Sequence, residues 1–319
     1  MDIQDILDNK IKQLAAGTHD VGLRAVRSHI EAAVRHFVRG QAEPDETLFT
    51  DVIFRCNQAF EGSIKEAYRV IAGKNPDHVK PFDIEQFLSG SALLRKKVLD
   101  QFTRYRQEWR NPSAHDYTLD FDENEALLAI VSVTVFAIVL CDQIESKIAF
   151  DTTAAATSSD PLPSAQNDTT LMLLVTERIL SFARTHVDPG QTNSPAHDYF
   201  RLEGTLAGFL SADLSNIAKV EQNKRFASSE ADIVVSRGTE RLIVELKRMS
   251  GRASARLTAQ RALTQAAFYL HEPDITGAIV FVYSAATRDY SAGPAPGTLS
   301  DVITIIAPKS DGRASSTDT

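Results

Sequence analysis

Apolar residues recur at helical spacing through the first half of the chain. Between Val21 and Arg39 they fall at Leu23, Val26, Ile30, Val34 and Phe37, one stripe along a helix. Phe49 to Ala72 continues the pattern. Phe82 to Trp109 predicts one or two further helices, broken near Ser89-Gly90. The acidic run "DFDENE" then precedes "LLAIVSVTVFAIVLC", Leu127 to Cys141; acidic residues suit a helix N-terminus, and the apolar run reads as a helix buried in a bundle. Residues 1–150 are therefore expected to form an all-α bundle of about four or five helices.

The pattern changes after "DTTAAATSSDPLPSAQNDTT", Asp151 to Thr170. That stretch is small, polar and proline-containing, without apolar periodicity, and reads as a linker. Two helical segments follow, "LMLLVTERILSFARTHV" and "YFRLEGTLAGFLSADL". Strands are expected at Ile217–Gln222, Asp232–Val235, Leu242–Leu246, Ala278–Tyr283 and Val302–Ile306, with a long helix, Ala253–Leu270, between the third and fourth. Residues 171–308 thus read as an α/β domain with a mixed sheet, and 309–319 as a disordered tail.

At 319 residues the length fits about two domains. A formal net charge of −8 excludes a broadly basic nucleic-acid coat. The charge is uneven, however: Lys219 to Arg261 holds ten Lys/Arg against five Asp/Glu, a local excess that can serve as a phosphate footprint or simply as a solvated surface. Cys56 and Cys141 give neither zinc spacing nor a disulfide framework, which points to a reducing cytoplasm. The N-terminus "MDIQDILDNK" is unlike a secretory signal, and Leu127–Cys141 is shorter than the ~20 residues a bilayer requires, so no membrane association is expected.

In "ADIVVSRGTERLIVELKR" a hairpin turn centred on Arg237-Gly238 pairs Ile243 with Asp232. Side chains alternate along a strand, so Ile243, Glu245 and Lys247 share one face, and Asp232 points to it. Two carboxylates can hold Mg²⁺, with waters and a phosphate oxygen completing the octahedron. The lysine can orient the attacking water. The plainer alternative is an edge strand with solvated alternating charges, and the inference depends on the parity of the turn.

These residues resemble the PD-(D/E)xK nuclease superfamily, whose pattern is an Asp, a spacer, then Glu-x-Lys on the next strand. Here twelve residues separate Asp232 from Glu245-Leu246-Lys247, with Ala231 rather than proline before the aspartate. The expected element order also matches that superfamily's core. The resemblance implies Glu203 as an additional metal ligand beside Asp232 and Glu245, and Gln265 and Tyr269 as a Gln-x3-Tyr pair on one helix face. It implies an endodeoxyribonuclease using Mg²⁺ or Mn²⁺, with DNA as partner.

"WRNPSAHDY", Trp109 to Tyr117, raises a separate question. Asn111-Pro112 looks like a helix start, asparagine capping and proline in the first helical position. Arg110 is then a solvated cation and His115 an ordinary histidine. Yet Arg110-x4-His115 within a helical bundle resembles the HEPN domain, whose ribonucleolytic members carry such a pair, often with a polar residue after the arginine, as Asn111 is here. "NQAFEGSIKEAYR", Asn57 to Arg69, adds to the likeness. That resemblance implies a homodimer through the helical domain. It also implies metal-free RNA cleavage, with His115 as acid or base beside the ribose 2′-hydroxyl and Arg110 on the phosphate. The second "AHDY", at 196–199, reads as chance repetition, with His197 unassigned. Together the resemblances imply an antiphage or anti-plasmid nuclease regulated by its helical domain. The alternatives are an RNase toxin acting through Arg110 and His115, and a non-enzymatic sensor or adaptor.

Overall fold

A computed structural model describes residues 2–14, 17, 19–43, 45, 47–90, 93–115, 119–157, 169–188, 198–226, 229–249 and 255–309. The chain divides into two compact units, Met1–Ile148 and Ala149–Thr319.

The first unit is helical: α1 Ile3–Gln13, α2 Asp20–Ala42, α3 Thr47–Val70, α4 Pro81–Gly90, α5 Lys96–Tyr105, a π-helical turn Arg106–Arg110, α6 Asn111–His115 and α7 Glu123–Thr157. The expected stripe on α2 is the one that packs, with Leu23, Val26 and Ile30 each 1% exposed. Gly62 on α3 lets the two helices close up, since a Cβ there would lie 2.9 Å from Val26 Cγ2. Phe60 forms the centre of the core, 4.7 Å from the Tyr105 ring, 5.4 Å from Phe136 and 5.5 Å from Phe102.

The apolar run Leu127–Cys141 belongs to a longer helix than its own length predicts, because helix-forming residues flank it on both sides. By length and composition α7 could cross a bilayer, but 56% of its most apolar window is buried within the fold. Its first turn carries Glu123 and Glu125 as expected, the Glu125 amide bonding the Asp122 carboxylate at 2.9 Å.

Two expectations need correction here. Asn111-Pro112 does not start a helix. α5, the π turn and α6 run on without interruption, and Pro112 sits just past the turn. Proline has no N–H to give an α-helical ladder, and a π turn is where that ladder is already shifted. The expected linker also starts too early: Asp151–Thr157 remain in α7, whose "TTAAAT" supports a helix through its alanines. Residues 158–168 and 310–319 lie outside the described residues.

The second unit is a six-stranded mixed sheet between helices. α8 (Leu171–His186) and α9 (Tyr199–Asp213) precede β1 (Lys219–Arg225), β2 (Glu230–Arg237) and β3 (Glu240–Arg248); α10 (Ala255–Tyr269) leads to β4 (Gly277–Tyr283), β5 (Tyr290–Pro294) and β6 (Ile303–Pro308). The strand order is β1-β2-β3-β4-β6-β5, with β3, β4 and β6 parallel and the outer pairings antiparallel. β5 has no counterpart among the expected strands. It is a short edge strand of mostly exposed residues with Gly293 inside and Pro294 at its end, a weak alternation to read.

Alternate residues of the strands feed two cores. Ile233, Val235, Val244, Leu246 and Phe281 pack with α8 and α9. Val234, Ile243, Val280 and Val282 pack with the small face of α10, made by Ala259, Ala262 and Ala266. α9 approaches the end of α7 closely at Gly208, where a Cβ would stand 2.4 Å from the Phe150 carbonyl oxygen.

The β2–β3 hairpin turns on Gly238-Thr239, one residue later than expected, with Gly238 at φ 57° where a side chain would be strained. Val234, not Asp232, therefore pairs with Ile243. Moving a turn centre by one residue slips the register by two, which preserves parity. Arg237 bonds Glu240 across the turn at 2.7 Å, and Glu240 accepts from the first amide of α8 at 3.1 Å.

Candidate functional site

Continuing the β2–β3 register past Ile233–Val244 brings Asp232 opposite Glu245. Asp232 Oδ2 accepts a hydrogen bond from the Leu246 amide at 3.0 Å, which fixes the carboxylate against β3. On β1 the ladder omits Asn223, between the paired Gln222 and Lys224; it adopts φ 51°, a conformation asparagine tolerates, opposite Asp232.

Glu245 is 1% exposed. Lys247 Nζ donates to its Oε1, while Oε2 is buried with no hydrogen-bond partner among the described residues. Burial, followed by the negative charge of Asp232, pushes the Glu245 carboxyl up to about 7, against the opposing pull of Lys247 and Tyr269. Lys247 keeps part of its side chain in solvent. Asp232, Glu245 and Lys247 thus stand together at one end of the β2–β3 pair.

Gln265 and Tyr269 come one turn apart on α10. Gln265 Nε2 donates to the Tyr269 hydroxyl at 3.1 Å, and that hydroxyl donates to the Glu230 carbonyl at 2.7 Å. The pair ties α10 to the start of β2, two residues before Asp232, and Tyr269 bears on Glu245 directly.

Glu203 lies in α9, fully buried. α9 is capped by Asp198, whose Oδ1 accepts from the Phe200 and Arg201 amides at 2.8 and 3.1 Å. Glu203, Asp198 and Asp232 all bear electrostatically on the Tyr283 hydroxyl, together with Arg248. Tyr283 and Asp198 were not among the expected site residues. Asp198 is legible as a helix cap in "HDYFRLEG"; Tyr283 ends an apolar strand and carries no local signal. The second "AHDY" supplies that cap, and His197 lies outside the described residues.

Among the described residues no group of three His, Cys, Asp or Glu side chains is close enough to hold a metal by itself. The acidic pair fits Mg²⁺ nevertheless, because that ion is ordinarily held by one or two carboxylates with waters and phosphate oxygens filling the rest. Oε2 of Glu245 is the oxygen of that pair left without a hydrogen bond among the described residues.

In the first unit Arg110 is committed to protein partners. Its Nε stands 3.6 Å from Glu85 Oε1 and its Nη2 3.8 Å from Glu61 Oε1, and Nη1 donates to Asn111 Oδ1 at 3.3 Å. It is not the solvated cation that a helix start implies. Glu85 is 1% exposed; burial raises its pKa, and Arg110 and Arg106 oppose the rise. Neither glutamate is visible as a partner from "WRNPSAHDY", since they come from α3 and α4. Ser113 fastens the stretch to α3 by accepting from Asn57 Nδ2 at 2.7 Å. The His115 backbone belongs to α6, while its side chain, like Asp116 and Tyr117, lies outside the described residues.

No protein-family model, curated protein or solved structure matches this chain.

Proposed function

We propose that the second unit is a divalent-cation-dependent endodeoxyribonuclease centre of the PD-(D/E)xK kind. The observation that carries this reading is the buried Glu245 carboxyl, set against Asp232 with Oε2 uncompensated and Lys247 on its other oxygen. Asp232 and Glu245 would hold Mg²⁺ or Mn²⁺, with Glu203 contributing from α9. Such an ion polarises a phosphate oxygen and acidifies bound water. Lys247 would orient the water and offset charge on the phosphate. Tyr269 and Gln265 keep Glu245 and the β2 start in register.

Within this proposal the helical unit is a HEPN-like module for homodimerisation or regulation rather than a second active site. Arg110 favours that choice, because its guanidinium already faces Glu85 and Glu61 at 3.6 and 3.8 Å. A cytoplasmic protein acting on invading phage or plasmid DNA fits two buried free thiols, Cys56 and Cys141. The test is cleavage of plasmid DNA and of RNA by the full chain, with Mg²⁺ and with EDTA. DNA cleavage that EDTA stops and Glu245→Ala removes is the expected result. EDTA-resistant RNA cleavage yielding 2′,3′-cyclic phosphate ends, lost in His115→Ala, would replace it with the ribonuclease reading.

A further inference from the structure

Two buried tyrosines share the core beneath α8 and α9, and their hydroxyls differ. The Tyr290 hydroxyl accepts from the Ser284 amide at 3.0 Å and donates to the Ser284 carbonyl at 3.1 Å. The Tyr283 hydroxyl, on a fully buried side chain, has no hydrogen-bond partner among the described residues. An unsatisfied buried hydroxyl costs about 1–3 kcal/mol, so a phenylalanine would serve the apolar core better. Its retention needs a reason outside packing.

The position of Tyr283 supplies one. It is the last residue of β4 and pairs with Arg248 at the end of β3. Two residues back along both strands, Phe281 pairs with Leu246, whose amide holds Asp232 Oδ2. The backbone is fixed there, the Met249 amide donating to the Tyr283 carbonyl at 2.9 Å, and the ring lies 6.2 Å from Phe281. The charged groups that act on the hydroxyl are Arg248, Asp198, Asp232 and Glu203. A phenol has one proton to give, and three of these four groups are acceptors.

We propose that Tyr283 is a positioning residue of the cation site, donating its hydroxyl proton to the Asp232–Glu203 carboxylates when a cation draws them into place. This rests on reading the site as a cation-dependent nuclease centre. A carboxylate that turns one oxygen to a cation gains from a donor on the other, which holds its plane. Tyr283 fills that part from the sheet, as the Leu246 amide does from β3.

The test uses the full-length wild type, Tyr283→Phe and Tyr290→Phe, with Mn²⁺ as probe and no DNA present. Mn²⁺ affinity is read by calorimetric titration and stability by cation-free melting. Tyr283→Phe should melt at or above the wild-type temperature and bind Mn²⁺ about tenfold more weakly, the usual loss for an outer partner of a metal ligand. Tyr290→Phe should melt lower and bind Mn²⁺ as the wild type does. Wild-type Mn²⁺ affinity in Tyr283→Phe overturns the proposal and leaves the nuclease reading standing. A cation-free melting loss in Tyr283→Phe as large as that in Tyr290→Phe also overturns it, because the hydroxyl would then be structural. A wild type that binds no Mn²⁺ removes both this proposal and the reading beneath it.

Discussion

The Asp232–Glu245 centre and the Arg110 centre are both short charged motifs, but their charges are balanced differently. Around Glu85 and Glu61 two cations, Arg110 and Arg106, meet two acids, Glu85 almost wholly buried, and Asn111 takes a further donor. Around Glu245 two acids meet one lysine, and a buried oxygen is left over. The first arrangement is balanced in charge within the chain, although Glu85 Oε1, like Glu245 Oε2, has no hydrogen bond among the described residues. The second keeps one acid in excess, which a cation from outside would offset under the function proposed above. Local charge balance therefore distinguishes the two motifs where residue identity alone does not.

The largest effect should come from breaking the Asp232–Glu245 centre. Asp232→Ala and Glu245→Ala should each lower Mg²⁺-dependent plasmid cleavage by about a thousandfold or more, the scale of losing a charge-stabilising group in a water-excluded site. Arg110→Ala should leave the rate per folded molecule unchanged. Equal losses in all three variants would erase the distinction between the centres.

Arg110→Ala should instead show in stability. It strands the buried Glu85 carboxylate beside Glu61, at a cost of about 3 kcal/mol. Adding Glu85→Gln should return much of that loss, because the stranded charge is gone. Denaturant melts of the single and double variants measure the coupling, and additive losses would mean that Arg110 and Glu85 do not interact.

The leftover charge predicts a pH dependence. Glu245 is held at about 7, against an ordinary value of 4.5. Between those values the folded state binds more protons at this site than the unfolded state does. The site's contribution to stability is therefore fully present below about pH 4.5 and is lost as pH rises through about 7. Without cation, wild type should lose stability relative to Glu245→Gln across that window, and Mg²⁺ should restore it above pH 7. Parallel melting curves for the two proteins would remove Glu245 from the site.

The smallest effect should be at the latch. Tyr269→Phe loses the bonds to Gln265 and to the Glu230 carbonyl, a destabilisation of about 1–2 kcal/mol, with cleavage reduced roughly tenfold through misplacement of Glu245. A destabilised variant that cuts DNA at the wild-type rate would confine Tyr269 to packing.

Strand alternation put Glu245 and Lys247 on one face of β3, the lysine donating to the glutamate; at Asp232 the alternation of β2 breaks, since Ala231 and Val234 enter one core and Ile233 the other. Parity survives a slip of two, so the wrong turn centre left the shared face of Glu245 and Lys247 unchanged. The helical stripe on α2 and the break after Gly90 were legible for the same reason: they are local. The partners of Arg110 were not legible, because Glu61 and Glu85 reach it from other helices. Tyr283 was hidden by composition, ending a strand where every residue is buried. The π turn before Pro112 was hidden because proline after asparagine is the ordinary signature of a helix entry.

The close approach of Gly208 to Phe150 bears on how the gene can be divided. The small, polar stretch after residue 150 invites a cut there, yet Phe150 packs against the α8–α9 side of the second unit's core. A fragment starting at Leu171 would leave that apolar surface bare, and aggregation on expression would reflect the missing segment rather than an unstable fold. Fragments of the second half should begin at or before Ala149, carrying the end of α7 with them.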